Sequence, residues 1–197
     1  IAWEMHGNFP DILKDAKIGV EATKLYNDAN ALLDRIIAEK WLTAKGIIGF
    51  WEAASDGDEV EIKNQDSRVK LEFLRQQMQK STNQPNFSLA DFIAPKGMNK
   101  RDFLGAFAVT LHGIEPHVKA FEAAHDDYNK IMLQALADRF AEAFAECLHE
   151  KVRKDFWGYA KDEGRSKEDL IKEQYVGIRP APGYPACPDH TEKYKLF

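Results

Sequence analysis

Between Glu122 and Trp157 the sequence contains neither proline nor glycine. Within it, Tyr128, Ile131, Met132, Ala135, Leu136, Phe140, Ala143, Phe144, Cys147, Leu148, Val152 and Phe156 recur at helical spacing and share one broad face. The spacing predicts one helix over residues 120–157. At 1.5 Å per residue it would be roughly 45–50 Å long, enough to cross a domain. Gly158 can end it, because glycine tolerates the left-handed conformation in which helices terminate.

The rest of the chain is mixed. Residues 15–40 read as a helix, with Val20, Leu25, Ala29, Leu32, Leu33, Ile36 and Ile37 at helical spacing between charged residues. "GIIGFWEA" (46–53) and "EVEIK" (59–63) read as strands, and "SDGD" between them is a turn signal, so a hairpin is expected. "SRVKLEFLRQQMQK" (67–80) alternates like a strand in its first half and turns polar in its second. "FSLADFIAP" and "DFLGAFAVTL" have the length and apolarity of two central strands, with Gly105 marking a close contact or bulge. "SKEDLIKEQY" (166–175) opens with a Ser-x-x-Asp helix start. This order of elements gives an α+β class with an antiparallel or mixed sheet.

Composition narrows the function classes. With 197 residues and 44% hydrophobic content the chain can bury a core. A net charge of -5 argues against a general nucleic-acid binder, since phosphate binding needs a basic surface. No apolar run approaches membrane-spanning length. The opening "IAWEMHGNFP" has no basic-then-apolar leader pattern and reads as a start inside an element. Two cysteines, Cys147 and Cys187, form no disulfide framework, and a reducing cytoplasm is the expected compartment.

Familiar catalytic motifs are not visible. No phosphate-cradling glycine loop occurs. "HEKVR" (149–153) lacks the second histidine of a helical zinc site, so His149 is expected to be a partly exposed helix residue. His112 and His117 bracket a loop without diagnostic spacing. "HDDY" (125–128) reads more simply as aspartates favoured at a helix N-terminus than as ligands. Cys187 lacks the cationic neighbour that a reactive thiol needs. Asp138, Glu142, Glu146 and Glu150 form an acidic stripe on the long helix. Arg139, Lys151 and Arg153 stand near enough in sequence to offset it.

"GIRPAPGYPACPDHTEK" (177–193) remains. Pro180, Pro182, Pro185 and Pro188 forbid helix and central strand. The prolines restrict their predecessors to extended conformations, and Gly183 permits a sharp turn. A loop so fixed is ordered before a ligand arrives. Arg179 offers a planar fork suited to a carboxylate, and Tyr184 an aromatic face with a hydroxyl. A small-molecule site and an ordered packing loop are both open readings. The second requires Arg179 paired internally and Tyr184 buried.

This segment resembles the signature of the C-terminal reactivation domain of cobalamin-dependent methionine synthase, through its Arg-x-x-x-Gly-Tyr core, Arg179 to Tyr184. "GVEATKLYNDANALLD", "LADFIAPK", "GAFAVT", "HDDYNKIMLQALADRFAEAFAECLHEKVRKDFWGYA" and "KEDLIKEQYVGIRPAPGYP" are similar to that domain in the same order. The resemblance implies an α+β fold: a twisted antiparallel sheet with flanking helices, one of them long, in a C-shaped single domain. Residues 1–197 would form that one domain, truncated at both ends.

The implied function is S-adenosylmethionine binding for the reductive methylation of cob(II)alamin. The cobalamin is held by a neighbouring domain of the same methyltransferase, not by this chain. The electron comes from flavodoxin or a flavodoxin-like reductase. The implied ligand-binding residues are Arg179, Ala181, Tyr184, Glu142 and Glu173, with no catalytic acid or base and no metal ligand. Arg179 would meet the ligand carboxylate, and the two glutamates its cationic groups. The family domain extends further in both directions, so weakened S-adenosylmethionine binding is expected of this chain. The alternative is a noncatalytic docking module for the cobalamin domain or flavodoxin. Neither nucleic acid nor membrane is an expected partner.

Overall fold

The computed structural model describes residues 3, 5–64, 67–81 and 83–196. They group into two compact units, 1–46 with 109–162, and 47–108 with 163–197. The chain passes between units within two of its strands and again after Asp162.

The first unit is helical. Helix α1 spans Gly19–Ala38. After the strands come α2 (Ile114–Ala123) and α3 (Asp127–Lys151). Its core is Leu32 and Ile36 of α1, Trp41, and Met132 and Leu133 of α3, with Ile114, Val118 and Phe121 of α2 packed against them. Burying such side chains stabilises by about 1.5–3 kcal/mol each. Val20 and Ile37, counted above with the apolar face of the first helix, are exposed. Leu133, outside the face read on the long helix, is fully buried.

The expected continuous helix over 120–157 is corrected in two places. It breaks at Ala124–Asp126. His125 takes a φ of 54°, and the Asp126 carboxylate accepts the Asn129 N–H at 3.0 Å, capping a new helix. The aspartates of "HDDY" thus mark a helix start, as read from the sequence. At the other end α3 widens into a π turn over Val152–Phe156 before Gly158.

The second unit holds most of the sheet, whose strand order is β3-β2-β1-β4. These are β1 (Thr43–Asp56), β2 (Glu59–Asn64), β3 (Ser67–Glu72) and β4 (Asp102–His112). The expected hairpin is present: β1 and β2 pair antiparallel with Asp56 opposite Glu59, and β2 pairs antiparallel with β3. Alternation places Val60, Ile62 and Leu71 in a core with Ala53, Phe73, Ala90 and Cys187.

The expectation of two central strands fails. "FSLADFIAP" is a 3₁₀ turn at Leu89–Phe92, because Ser88 and Asp91 form a capping box. It packs on the sheet core through Leu89, Ala90 and Ile93, and at its exit the Ser55 N–H donates to the Ala94 carbonyl at 3.0 Å. "DFLGAFAVTL" is a strand, β4, but stands last in the strand order, and Gly105 is exposed. Short helices α4 (Lys167–Ile171) and α5 (Lys193–Leu196) complete the unit. As the Ser-x-x-Asp pattern predicts, Ser166 caps α4 through the Asp169 N–H at 3.1 Å. Among the described residues no helix is long and apolar enough to cross a membrane.

Candidate ligand site

The loop that follows α4 carries three of the five expected ligand residues within one six-residue stretch. Its exit is pinned by two backbone hydrogen bonds: the Cys187 N–H donates to the Tyr184 carbonyl at 2.9 Å, and the Gly183 N–H to the Cys187 carbonyl at 2.8 Å. Gly183 has a φ of 106°, a conformation that side-chain-bearing residues avoid. A Cβ there would lie 2.5 Å from Nε2 of His190, so the imidazole packs directly on the glycine. Lys193 Nζ stands 3.0 Å from His190 Nδ1; an ammonium only donates, so Nδ1 accepts.

Tyr184 is 66% exposed. A packing loop would bury it; this loop presents it to solvent. Arg179 is half-buried and Ala181 exposed. The Ala181 N–H and C=O take no hydrogen-bond partner among the described residues. The loop therefore presents an aromatic hydroxyl and main-chain polar groups to solvent beside the half-buried Arg179, in a backbone fixed in advance.

Glu173 lies in the same unit, just past α4, exposed and with a φ of 57°. Its N–H donates to the Leu170 carbonyl at 3.0 Å, closing the helix. Glu142 belongs to the other unit. Its side chain is 68% exposed and pairs with Arg139 at 3.0 Å, a contact of small worth in water. Of the acidic stripe, Glu150 pairs with Lys154 at 2.7 Å. Arg153 is 1% exposed and donates to Nδ1 of His149 at 2.7 Å. His149, expected at the surface, is 4% exposed. Its Nδ1 must accept from the guanidinium, which leaves the ring proton on Nε2. His117 stacks on Trp41 with ring centroids 3.8 Å apart. Among the described residues no group of three metal-ligating side chains is assembled.

Cys187 is 3% exposed, inside the sheet core, and burial pushes its thiol pKa up, with Glu192 and Asp189 adding to the effect. It is an inert packing residue, in keeping with the sequence reading. Glu192, which the sequence reading passed over, is a carboxylate only 4% exposed. A shallow concavity of about 360 Å³ lies elsewhere in the unit, lined by Ser55, Asp56, Asp91 and Lys96 among others. None of the five expected ligand residues lines it.

Residues 1–197 match the family described as vitamin B12-dependent methionine synthase, activation domain. The chain belongs to this family. It is also similar to a solved structure of the MetH reactivation domain bound to AdoHcy, with a TM-score of 0.88 and 53% sequence identity. The match covers 98% of this chain and 61% of that one, so this chain spans about three-fifths of its relative's length. At that identity the α+β architecture, an open antiparallel sheet with flanking helices, is the fold of the reactivation domain.

Proposed function

We propose that this chain binds S-adenosylmethionine as the reactivation module of a cobalamin-dependent methionine synthase, a methyltransferase. The observation that carries the reading is the 53% identity, over 98% of the chain, to a reactivation domain bound to AdoHcy. AdoHcy is what S-adenosylmethionine becomes on losing its methyl group. The exposed Tyr184 and the half-buried Arg179 on a prearranged loop support it.

In this reading the Arg179 guanidinium meets the ligand carboxylate, where a bidentate charge-assisted pair is the strongest polar contact available. Main-chain groups at Ala181 and the Tyr184 ring hold the remainder of the ligand. Glu173, in the same unit, meets a cationic group of the ligand. Cobalamin, held by a neighbouring domain, would supply the metal centre to which the methyl group is passed. The residues of this chain bind and orient the methyl donor; no side chain is required to move a proton. The cobalamin domain and a flavodoxin-like electron donor are the proposed partners, and the cytoplasm the proposed compartment.

The test is calorimetric titration of S-adenosylmethionine into the chain and into Arg179→Ala, with folding checked by circular dichroism. We expect saturable binding by the parent and a loss of at least about tenfold in the variant, the scale of a lost charge-assisted hydrogen bond. A folded parent that does not bind would overturn the ligand-site reading and leave the docking module.

A further inference from the structure

We propose that Cys187 and Glu192 are positioning residues that moor the Arg179–Tyr184 loop to the sheet, so that ligand affinity is set partly by contacts the ligand never touches. Its relevance to ligand rests on the function proposed above; the mooring itself rests on geometry alone.

The loop has no ladder of its own to hold it, because its prolines remove donors. Its exit is fastened in three steps. The first is the Tyr184–Cys187 turn, whose two backbone bonds tie the candidate ligand residue to Cys187. The Cys187 side chain is the plug: it is buried with Val60, Ile62, Leu71 and Phe73. The second is a local reversal, in which Asp189 Oδ1 accepts the Thr191 N–H and the Thr191 hydroxyl, each at 2.7 Å.

The third is Glu192. Its Oε2 accepts the N–H of Glu72, the last residue of β3, at 3.0 Å, and its Oε1 accepts from Lys195 at 2.9 Å. β3 stands at the end of the strand order. The neighbouring Phe73 N–H points inward to the Asp58 carbonyl at 2.9 Å, so the Glu72 N–H points to the open side. An acid buried this deeply is held by partners on both oxygens, and one of them is the edge of the sheet. Leu196 packs against the same core beyond it.

The two cysteines supply a direct readout. Cys147 is exposed and Cys187 buried. In a Cys147→Ser background, alkylation of Cys187 therefore reports release of the loop. Glu192→Gln and Glu192→Ala both remove a negative charge near the thiol, but only the glutamine keeps an acceptor for Glu72. We expect Cys187 in Glu192→Ala to react about tenfold faster than in Glu192→Gln, in line with one lost hydrogen bond to a charged group. S-adenosylhomocysteine affinity should fall by a similar factor in the alanine variant and be largely retained in the glutamine variant. In the background chain itself, saturating S-adenosylhomocysteine should slow Cys187 labelling several-fold.

Equal labelling rates in the alanine and glutamine variants would overturn the mooring. If Glu192→Ala does not fold, the background chain still decides: labelling unchanged by saturating ligand contradicts the proposal. Should the parent fail to bind S-adenosylhomocysteine at all, the functional reading falls, and the labelling ratio alone settles whether Glu192 holds the loop.

Discussion

Single residues here work mainly by fixing backbone that the sequence leaves unstable. Gly183 is the sharpest case at the candidate site. Alanine there would need a φ of 106° and would press on the His190 ring. Because Gly183 itself is exposed, Gly183→Ala should weaken S-adenosylhomocysteine binding in calorimetry while leaving the thermal midpoint within a few degrees. Arg75 and Asp91 do the equivalent work for the segment after β3. The guanidinium bridges Asp58 at 2.6 Å and Asp91 at 2.7 Å and also donates to the Asn86 carbonyl at 2.8 Å.

The Arg75 contact, with help from the Ser88 N–H, holds the Asp91 carboxyl below its ordinary range. A carboxylate with a depressed folded pKa stabilises the protein above its unfolded value, and that stability is lost as pH falls through the folded one. Asp91→Asn should therefore melt below the parent at pH 6. The gap should begin to narrow as pH falls below about 4, the unfolded value, and close only once pH is below the depressed folded value, where both states of the parent are protonated. A gap that persists at low pH would mean the asparagine harms packing instead.

Helix and strand boundaries show what the sequence made legible and what it hid. The β1–β2 hairpin was readable because two-residue alternation and the Gly57 turn agree. The break between α2 and α3 was not, since neither proline nor glycine marks it. It is made by a capping carboxylate, Asp126, with His125 in a left-handed conformation. The Ser-x-x-Asp pattern that reads as a helix start at Ser166 also stands at Ser88, but there the surrounding apolar run reads as a strand. Asp126→Ala should cost about 1 kcal/mol in denaturant unfolding, the usual worth of an N-cap, and Asp126→Asn much less. Gly113 starts α2 with a φ of 101°, and a Cβ there would sit 2.2 Å from the Trp41 carbonyl oxygen. Gly113→Ala should cost about 2 kcal/mol or more, read as a fall in thermal midpoint, because backbone must move to admit it.

At the scale of the whole molecule, the α+β class followed from the order of elements, whereas the site did not follow from physics alone. A proline loop with an arginine and a tyrosine fits packing as well as binding; the exposure of Tyr184 favours the second. Family resemblance supplied the ligand. Glu192 escaped notice for a physical reason: its partner, the Glu72 N–H, lies 120 residues away and carries no side-chain signature. His149 and Arg153 were hidden likewise, because a histidine and an arginine four residues apart on a helix ordinarily face water, and these two are buried.

The account rests on residues 177–187 being where ligand binds. The most direct measurement is an amide nuclear magnetic resonance titration of the chain with S-adenosylhomocysteine. It predicts saturable shifts concentrated at Gly177, Ile178, Arg179, Ala181, Gly183, Tyr184 and Cys187. A well-dispersed spectrum whose loop amides stay fixed at saturating ligand would contradict it.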